Sequence, residues 1–186
     1  MDRAARTLDE WIALRCKLGE AKAFDDLVRL MERPLLYYAT KLLRNEDGAL
    51  DVLQEVWFVA FRNIRKLKDP ASLRPWLYKI TRGIAVDRIR KELARERSED
   101  AQAKSTALGD DNPSFESEDA AAIHEGLNEL DTEHRDVLTL HFLDDLSIAE
   151  IAAATGCPEG TVKSRIHYGK QTLKQILMRG GYVKRK

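Results

Sequence analysis

The sequence predicts an all-α fold of two small helical domains joined by a flexible acidic linker. Apolar residues recur at spacings of three and four through most of the chain, and no stretch alternates as a strand does. This pattern stops at 96–118, where small and polar residues dominate. The length of 186 residues, with 44% hydrophobic side chains, suffices for two cores. The predicted boundaries are therefore 1–95, 96–118 and 119–186.

Four helices are predicted in the first domain. Apolar spacing marks helices over 8–18 and 24–42, and Pro34 is expected to bend or interrupt the second. A third helix is predicted over about 47–63. After a loop, Ser72 is placed to cap a fourth helix that runs through Ile89.

The second domain is predicted to be a helix-turn-helix module of four helices, winged-helix-like in type. Ser147 and Glu150 form the signature of a capping box before a short helix. Gly156 is suited to a left-handed turn, and Pro158 to the first position of the next helix. Two helices joined in this way fit a DNA-binding helix-turn-helix, but the same pattern alone also occurs in many proteins that never touch DNA.

The last helix carries polar side chains suited to reading DNA. Arginine and lysine read guanine edges, and serine and threonine hydroxyls reach bases or phosphates. Glu159 either accepts a hydrogen bond from a cytosine amine or favours the helix dipole, and both interpretations stay open. The residues predicted to contact DNA are Glu159, Gly160, Thr161, Lys163, Ser164, Arg165, His167, Tyr168 and Lys170.

Charge is segregated along the chain although the net charge is zero. Residues 62–95 carry 11 basic and 3 acidic side chains, and residues 158–186 carry 8 and 1. The segments before them are acidic. Each basic block predicts a surface that binds a polyanion, with solvated helix faces as the alternative.

No enzyme, metal site or cofactor is predicted. The four histidines lack metal-ligand spacing, and no glycine-rich phosphate loop or nucleophile motif is present. Cys16 and Cys157 stand far apart and are expected to be small buried side chains. With no long apolar run and no export signal, we expect a cytoplasmic protein with neither membrane insertion nor a small-molecule substrate.

Two motif sets resemble the extracytoplasmic-function (ECF) branch of bacterial sigma-70 factors. The second domain resembles region 4 in Leu130-x4-Arg135-x-Val137-Leu138, Leu146-Ser147-x2-Glu150-Ile151-Ala152 and Gly156-Cys157-Pro158-x-Gly160-Thr161-Val162-Lys163-Ser164-Arg165. The first resembles region 2 in Asp51-x2-Gln54-Glu55-Val56-Trp57, Ser72-Leu73-Arg74-Pro75-Trp76-Leu77-Tyr78-x-Ile80 and Asp87-x2-Arg90. Leu73 and Gly83 stand where the family usually has Phe and Asn.

The resemblance implies a dissociable initiation subunit of RNA polymerase, which recognises and melts promoters. Its partners would be core polymerase, through the clamp helices of the largest subunit and the flap, promoter DNA and an anti-sigma factor. Asp51, Gln54 and Glu55 would dock on the clamp helices, the loop 67–72 would hold an extruded base at the minus-ten element, and region 4 would read the minus-thirty-five element. The implied minus-ten contacts are Lys66, Lys68, Asp69, Ser72, Arg74, Lys79, Arg82, Arg88 and Arg90.

Three aromatic residues of the first domain have two interpretations. Trp57 and Phe61 are expected in the core rather than on the docking surface, and Trp76 in the core rather than as a stacking platform. Two rival functions also stand beside the sigma-factor prediction. A conventional repressor or activator would carry a dimerisation or effector domain, and a sigma mimic would lack the basic blocks.

Overall fold

The computed structural model describes residues 3–98, 118–143 and 145–181. Within these ranges the chain forms eight α-helices and two short 3₁₀ helices and contains no strand, so the all-α prediction is confirmed. None of these helices is long and apolar enough to cross a bilayer. The helices are α1 (Arg3–Leu18), α2 (Ala21–Leu43), α3 (Glu46–Asn63), α4 (Leu73–Ser98), α5 (Glu118–Glu129), α6 (Thr132–Leu143), α7 (Ile148–Thr155) and α8 (Glu159–Arg179), with the 3₁₀ helices Ile64–Lys66 and Pro70–Ser72 between α3 and α4.

The central helix of the first half is α2, which packs against α1, α3 and α4. It buries Leu27, Met31, Leu35 and Tyr38, which recur at helical spacing along one side. The helix continues through Pro34, so the expected interruption does not occur. A proline removes one backbone hydrogen bond of a helix. Here the packing of fully buried residues on either side of Pro34 holds the helix together.

The predicted helix-turn-helix is formed by α7 and α8. Glu150 N–H donates to the Ser147 hydroxyl, and Ser147 N–H donates to the Glu150 carboxylate at 2.7 Å, which completes the capping box. Gly156 ends α7 with a φ of 70°, in the left-handed region that glycine adopts without strain. Pro158 is the N-cap of α8 rather than its first residue, because its ψ of 146° is extended.

The helices on both sides of the predicted linker are longer than expected. Residues 96–98 belong to α4, and Glu118 is the first residue of α5. Glutamate and arginine, which occur at 96 and 97, are good helix formers and allow α4 to extend beyond its core. The rest of the predicted linker, 99–117, lies outside the described residues.

The two halves of the chain pack against each other. The contact is made by α4 against α7 and by α2 against α6. Buried apolar side chains of both halves form one continuous cluster. The exposed surfaces of the two halves are therefore held at fixed positions relative to each other in this conformation.

Candidate nucleic-acid interface

A polar strip runs along the exposed side of α8. Lys163, Ser164, His167 and Tyr168 are exposed at spacings of three and four, so they share one face of the helix. The opposite side buries Val162 and other apolar residues against the rest of the second half. In a helix-turn-helix, the residues near the start of the second helix are those that reach base edges. The strip can therefore enter a major groove.

Contacts with α6 hold two cations at the flank of this strip. Arg165 forms an ion pair with Glu133 at 2.7 Å and donates to the Cys157 sulfur at 3.2 Å. Lys170 Nζ lies 2.9 Å from His141 Nε2. Burial, followed by the charge of Lys170, lowers the pKa of His141, so the neutral imidazole can accept this hydrogen bond. Cys157 is half-buried, which is less than the sequence interpretation expected.

The remaining predicted residues of α8 lie at its first turn. Glu159 and Gly160 are exposed, while Thr161 is half-buried and its carbonyl accepts from the Ser164 hydroxyl at 2.9 Å. The sequence interpretation missed Gln171, which is exposed one turn beyond His167, with its amide nitrogen 2.9 Å from the imidazole. Its spacing of four residues from His167 was the signal that could have found it.

A second candidate surface is the loop between α3 and α4. Asp69 organises this loop, because its carboxylate accepts from the Ala71 N–H at 3.1 Å and from the Ser72 hydroxyl at 3.0 Å. Asp69 thereby caps the 3₁₀ helix that leads into α4. Lys66 and Lys68 are exposed beside it. The loop is thus folded on its own hydrogen bonds and flanked by two cations.

The predicted cations of α4 do not share one environment. Lys79 and Arg90 are exposed and lie three turns apart, so they point to the same side. Arg88 lies two and a half turns from Lys79 and therefore points to the opposite side. Three arginines pair with carboxylates of other helices: Arg74 with Asp9 of α1 at 2.5 Å, Arg82 with Asp136 of α6 at 2.7 Å, and Arg88 with Asp51 of α3 at 3.0 Å.

The predicted docking residues lie together on α3. Asp51, Gln54 and Glu55 are exposed on one face, and Phe58 continues that face one turn further with 61% of its surface exposed. Phe61 is also exposed, so its expected place in the core is wrong. Its ring packs edge-on against Phe24 at the surface, 5.1 Å between centroids. The spacing of four residues from Gln54 and three from Glu55 was the signal that could have found Phe58.

The other two aromatic residues behave as expected of core-packing side chains. Trp57 and Trp76 are half-buried, and both pack against the core. Trp57 also contacts Phe24 edge-on, with 6.1 Å between ring centroids. Neither indole is presented as an open stacking platform.

A buried polar cluster joins the two halves of the chain. Its centre is Asp136 of α6, whose side chain is 3% exposed. The carboxylate accepts from the Tyr38 hydroxyl at 2.5 Å and from the Arg82 Nε at 2.7 Å. Burial, followed by the charge of Asp136, raises the pKa of Tyr38, so the phenol remains a donor. Lys41 extends the cluster by donating to Asn128 at 2.7 Å.

The packing of the two halves is expected to weaken in acid. His124 of α5 is buried against Tyr37 and Lys41, and this burial, followed by the charge of Lys41, lowers its pKa from 6.5 to about 4. When the halves separate, the pKa rises towards 6.5, so protonation favours the separated form. The free energy of packing should therefore fall as the pH falls from about 6.5 towards 4.

Small-angle X-ray scattering at pH 7.5 and pH 5 measures this effect. The wild type should expand at the lower pH, and His124→Gln, which is neutral at both, should expand less. Equal expansion of the two proteins would assign the acid response to another group.

Comparison with known proteins finds similarity in both halves. The family model for sigma-70 region 2 matches residues 13–95, and the one for sigma-70 region 4 matches residues 120–173. The ECF RNA polymerase sigma factor SigW of Bacillus subtilis is 29% identical, over 87% of this chain and 92% of its own. RNA polymerase sigma factor SigV of the same organism is 30% identical, over 69% and 75%. The sigma factor RpoE of Bartonella quintana, solved in complex with the anti-sigma factor NepR, has a TM-score of 0.72 at 25% identity, covering 85% of this chain and 98% of that one.

Proposed function

Because the chain belongs to the sigma-70 family of RNA polymerase sigma factors and is of the ECF type, we propose that its two halves divide promoter recognition between them. It directs RNA polymerase to promoters in the initiation of transcription. In our proposal residues 1–95 bind core polymerase and recognise and melt the minus-ten element, and residues 119–186 read the minus-thirty-five element. The protein acts in the cytoplasm, by binding rather than by catalysis.

The polar strip of α8 is the observation that carries the upstream part of this proposal. Lys163 and Ser164 stand exposed near the start of the second helix of a helix-turn-helix, the position from which side chains reach base edges. Both side chains remain exposed in the packed conformation. The basic block of residues 158–186 supplies attraction to phosphates.

The downstream part of the proposal is supported by the loop 67–72 and by four exposed cations, two at the loop and two along α4. Lys66, Lys68, Lys79 and Arg90 are exposed, and they could follow the backbone of an unstacked strand. The loop itself is compact and capped by Asp69, as a pocket for one extruded base requires. In the packed conformation, Arg74, Arg82 and Arg88 instead form ion pairs with carboxylates of other helices.

An anti-sigma protein is the third proposed partner. The sigma factor RpoE of Bartonella quintana was solved in complex with the anti-sigma factor NepR. The similarity to RpoE supports a partner of the same class for this chain. No segment of this chain is assigned to that contact.

Docking on core polymerase is the first test of the proposed function. Asp51, Gln54 and Glu55 present two negative charges beside the exposed ring of Phe58. Reversing one charge with Glu55→Lys should weaken association with core polymerase by about tenfold or more, because like charges then meet across the contact. Binding is measured by pull-down and by fluorescence anisotropy with the full chain.

The matched control is Glu32→Lys, which makes the same change at an exposed position of α2. Circular dichroism should be unchanged in both variants. If Glu55→Lys and Glu32→Lys bind core polymerase equally well, α3 is not the docking surface.

A further inference from the structure

The loop 67–72 is held from behind by α1. The inner side of α1 packs against the 3₁₀ helix that precedes the loop, Ile64–Lys66, and against the one inside the loop, Pro70–Ser72. Ile12, Ala13 and Cys16 are buried on this side, and Ala13 has no exposed surface. The first helix is thus part of the structure that shapes the loop, although it lies about fifty residues before it in the sequence.

Two polar contacts from α1 fix the two ends of the loop. At its start, Lys17 Nζ donates to the Leu67 carbonyl at 2.7 Å. At its end, Arg74 donates through two nitrogens to Asp9, at 2.5 and 3.2 Å. A two-pronged contact of this kind sets the orientation of both side chains as well as their distance.

The contact with Arg74 explains why the carboxylate of Asp9 can be buried. Its side chain is 5% exposed, on the same side of α1 as the apolar residues of the core. A buried carboxylate is unfavourable unless it is paired and hydrogen-bonded. The guanidinium of Arg74, itself 12% exposed, supplies that pairing at the first turn of α4.

We propose that α1 presets the base-binding loop, with Asp9 and Lys17 as positioning residues for minus-ten recognition. This inference rests on the proposed function of the loop. Arg74 then acts through Asp9 on the geometry of the loop and does not bind a DNA phosphate. Base capture is sensitive to this geometry, because hydrogen bonds weaken steeply when their distance and angle depart from the optimum.

The test uses holoenzyme reconstituted from core polymerase and the full chain, with selection from a promoter library randomised at both elements. Asp9→Asn and Lys17→Met should each lower discrimination at the base held by the loop by about tenfold, the size of one specific base contact. The upstream motif and the affinity for core polymerase should stay at the wild-type values. Lys22→Met, at an exposed position of α2, is the matched control and should select the wild-type motif.

Substitutions of Arg74 separate positioning from phosphate binding. Lysine keeps the charge but loses the paired geometry. In our proposal Arg74→Lys therefore discriminates less well at the base held by the loop, as Asp9→Asn does. The salt dependence of its binding to single-stranded DNA stays unchanged. A phosphate contact would instead survive in Arg74→Lys, and its loss in Arg74→Ala would flatten the slope of log affinity against log salt by about 0.7.

Two results would overturn the proposal. One is selection of the wild-type minus-ten motif by both single variants, Lys17→Met and Asp9→Asn. The other is a wild-type minus-ten motif for Arg74→Lys combined with a salt slope that is flatter by about 0.7 for Arg74→Ala. If Asp9→Asn does not fold, Lys17→Met decides alone, since it removes one hydrogen bond of a half-buried side chain. A wild-type holoenzyme that selects no motif at either element would contradict the proposed function rather than the role of α1.

Discussion

Replacing Asp136 with asparagine is expected to separate the two halves of the protein. The carboxylate is the shared acceptor of Tyr38 and Arg82, and all three groups meet in the buried contact between α2, α4 and α6. Removing one partner of a buried ion pair costs about 3–5 kcal/mol. The packing equilibrium should therefore shift towards the separated form by more than about a hundredfold.

Separation has a second consequence, because it frees Arg82 for DNA. In the packed form its guanidinium is bound to Asp136, although the residue belongs to the predicted minus-ten set. The Asp136→Asn variant should therefore bind single-stranded DNA more tightly than the wild type. One added phosphate contact makes the slope of log affinity against log salt steeper by about 0.7.

Scattering and DNA binding measure these two effects on the same samples. A compact chain of this length has a radius of gyration of about 16 Å, and the variant should exceed the wild-type value clearly. The control is Glu32→Gln, which makes the matching change from carboxylate to amide at an exposed position of α2. If Asp136→Asn scatters like the wild type and binds DNA with the same salt slope, Asp136 does not hold the halves together.

The second large effect is expected in α8, where Lys163 and Lys170 should play different parts. Lys163 is exposed on the polar strip and is predicted, with Ser164, to read bases. Lys170 is held at the flank by His141 and is predicted, with Arg165, to bind phosphates. Lys163→Ala should relax the preference at particular base pairs of the minus-thirty-five element, with a loss of about 1–3 kcal/mol of discrimination. Lys170→Ala should instead weaken binding to all sequences and flatten the salt slope by about 0.9.

Selection by the holoenzyme from randomised upstream sequences distinguishes these roles. Lys174→Ala, an exposed cation further along the same helix, is the matched control for loss of charge. An unchanged upstream motif for Lys163→Ala, combined with an altered motif for Lys170→Ala, would reverse the assigned orientation of the helix in the groove.

Local features of the fold could be predicted from the sequence because neighbouring residues decide them. The capping box of Ser147 and Glu150 and the left-handed Gly156 follow from residue type and spacing alone, and both are confirmed. Pro34 shows the limit of this reasoning, since burial of the residues around it outweighs one lost hydrogen bond. Phe61 fits an apolar helix face by spacing, but the core does not reach it.

The pairing of distant charges could not be predicted. Arg74 and Arg82 look alike in the sequence, as two cations of one basic block. Their partners, Asp9 and Asp136, stand 65 and 54 residues away in opposite directions. Periodicity places a side chain on a helix face, whereas the partner across that face depends on how helices pack. The sequence therefore predicted which residues belong to the candidate site. It did not predict which of them are held in ion pairs and which are exposed.

The ion pair between Asp51 and Arg88 links two surfaces with different proposed partners. A polymerase cation that takes Asp51 leaves Arg88 with Glu92 of its own helix, so a phosphate then competes with one carboxylate instead of two. Polymerase should therefore raise the affinity of the chain for DNA, and DNA should raise its affinity for polymerase by the same factor. The two side chains are 63% and 36% exposed, and such pairs contribute about 0–1 kcal/mol. This cooperativity is therefore at most about fivefold in each direction, so the complex of the chain with both partners is favoured over the two partial complexes without the chain depending on it.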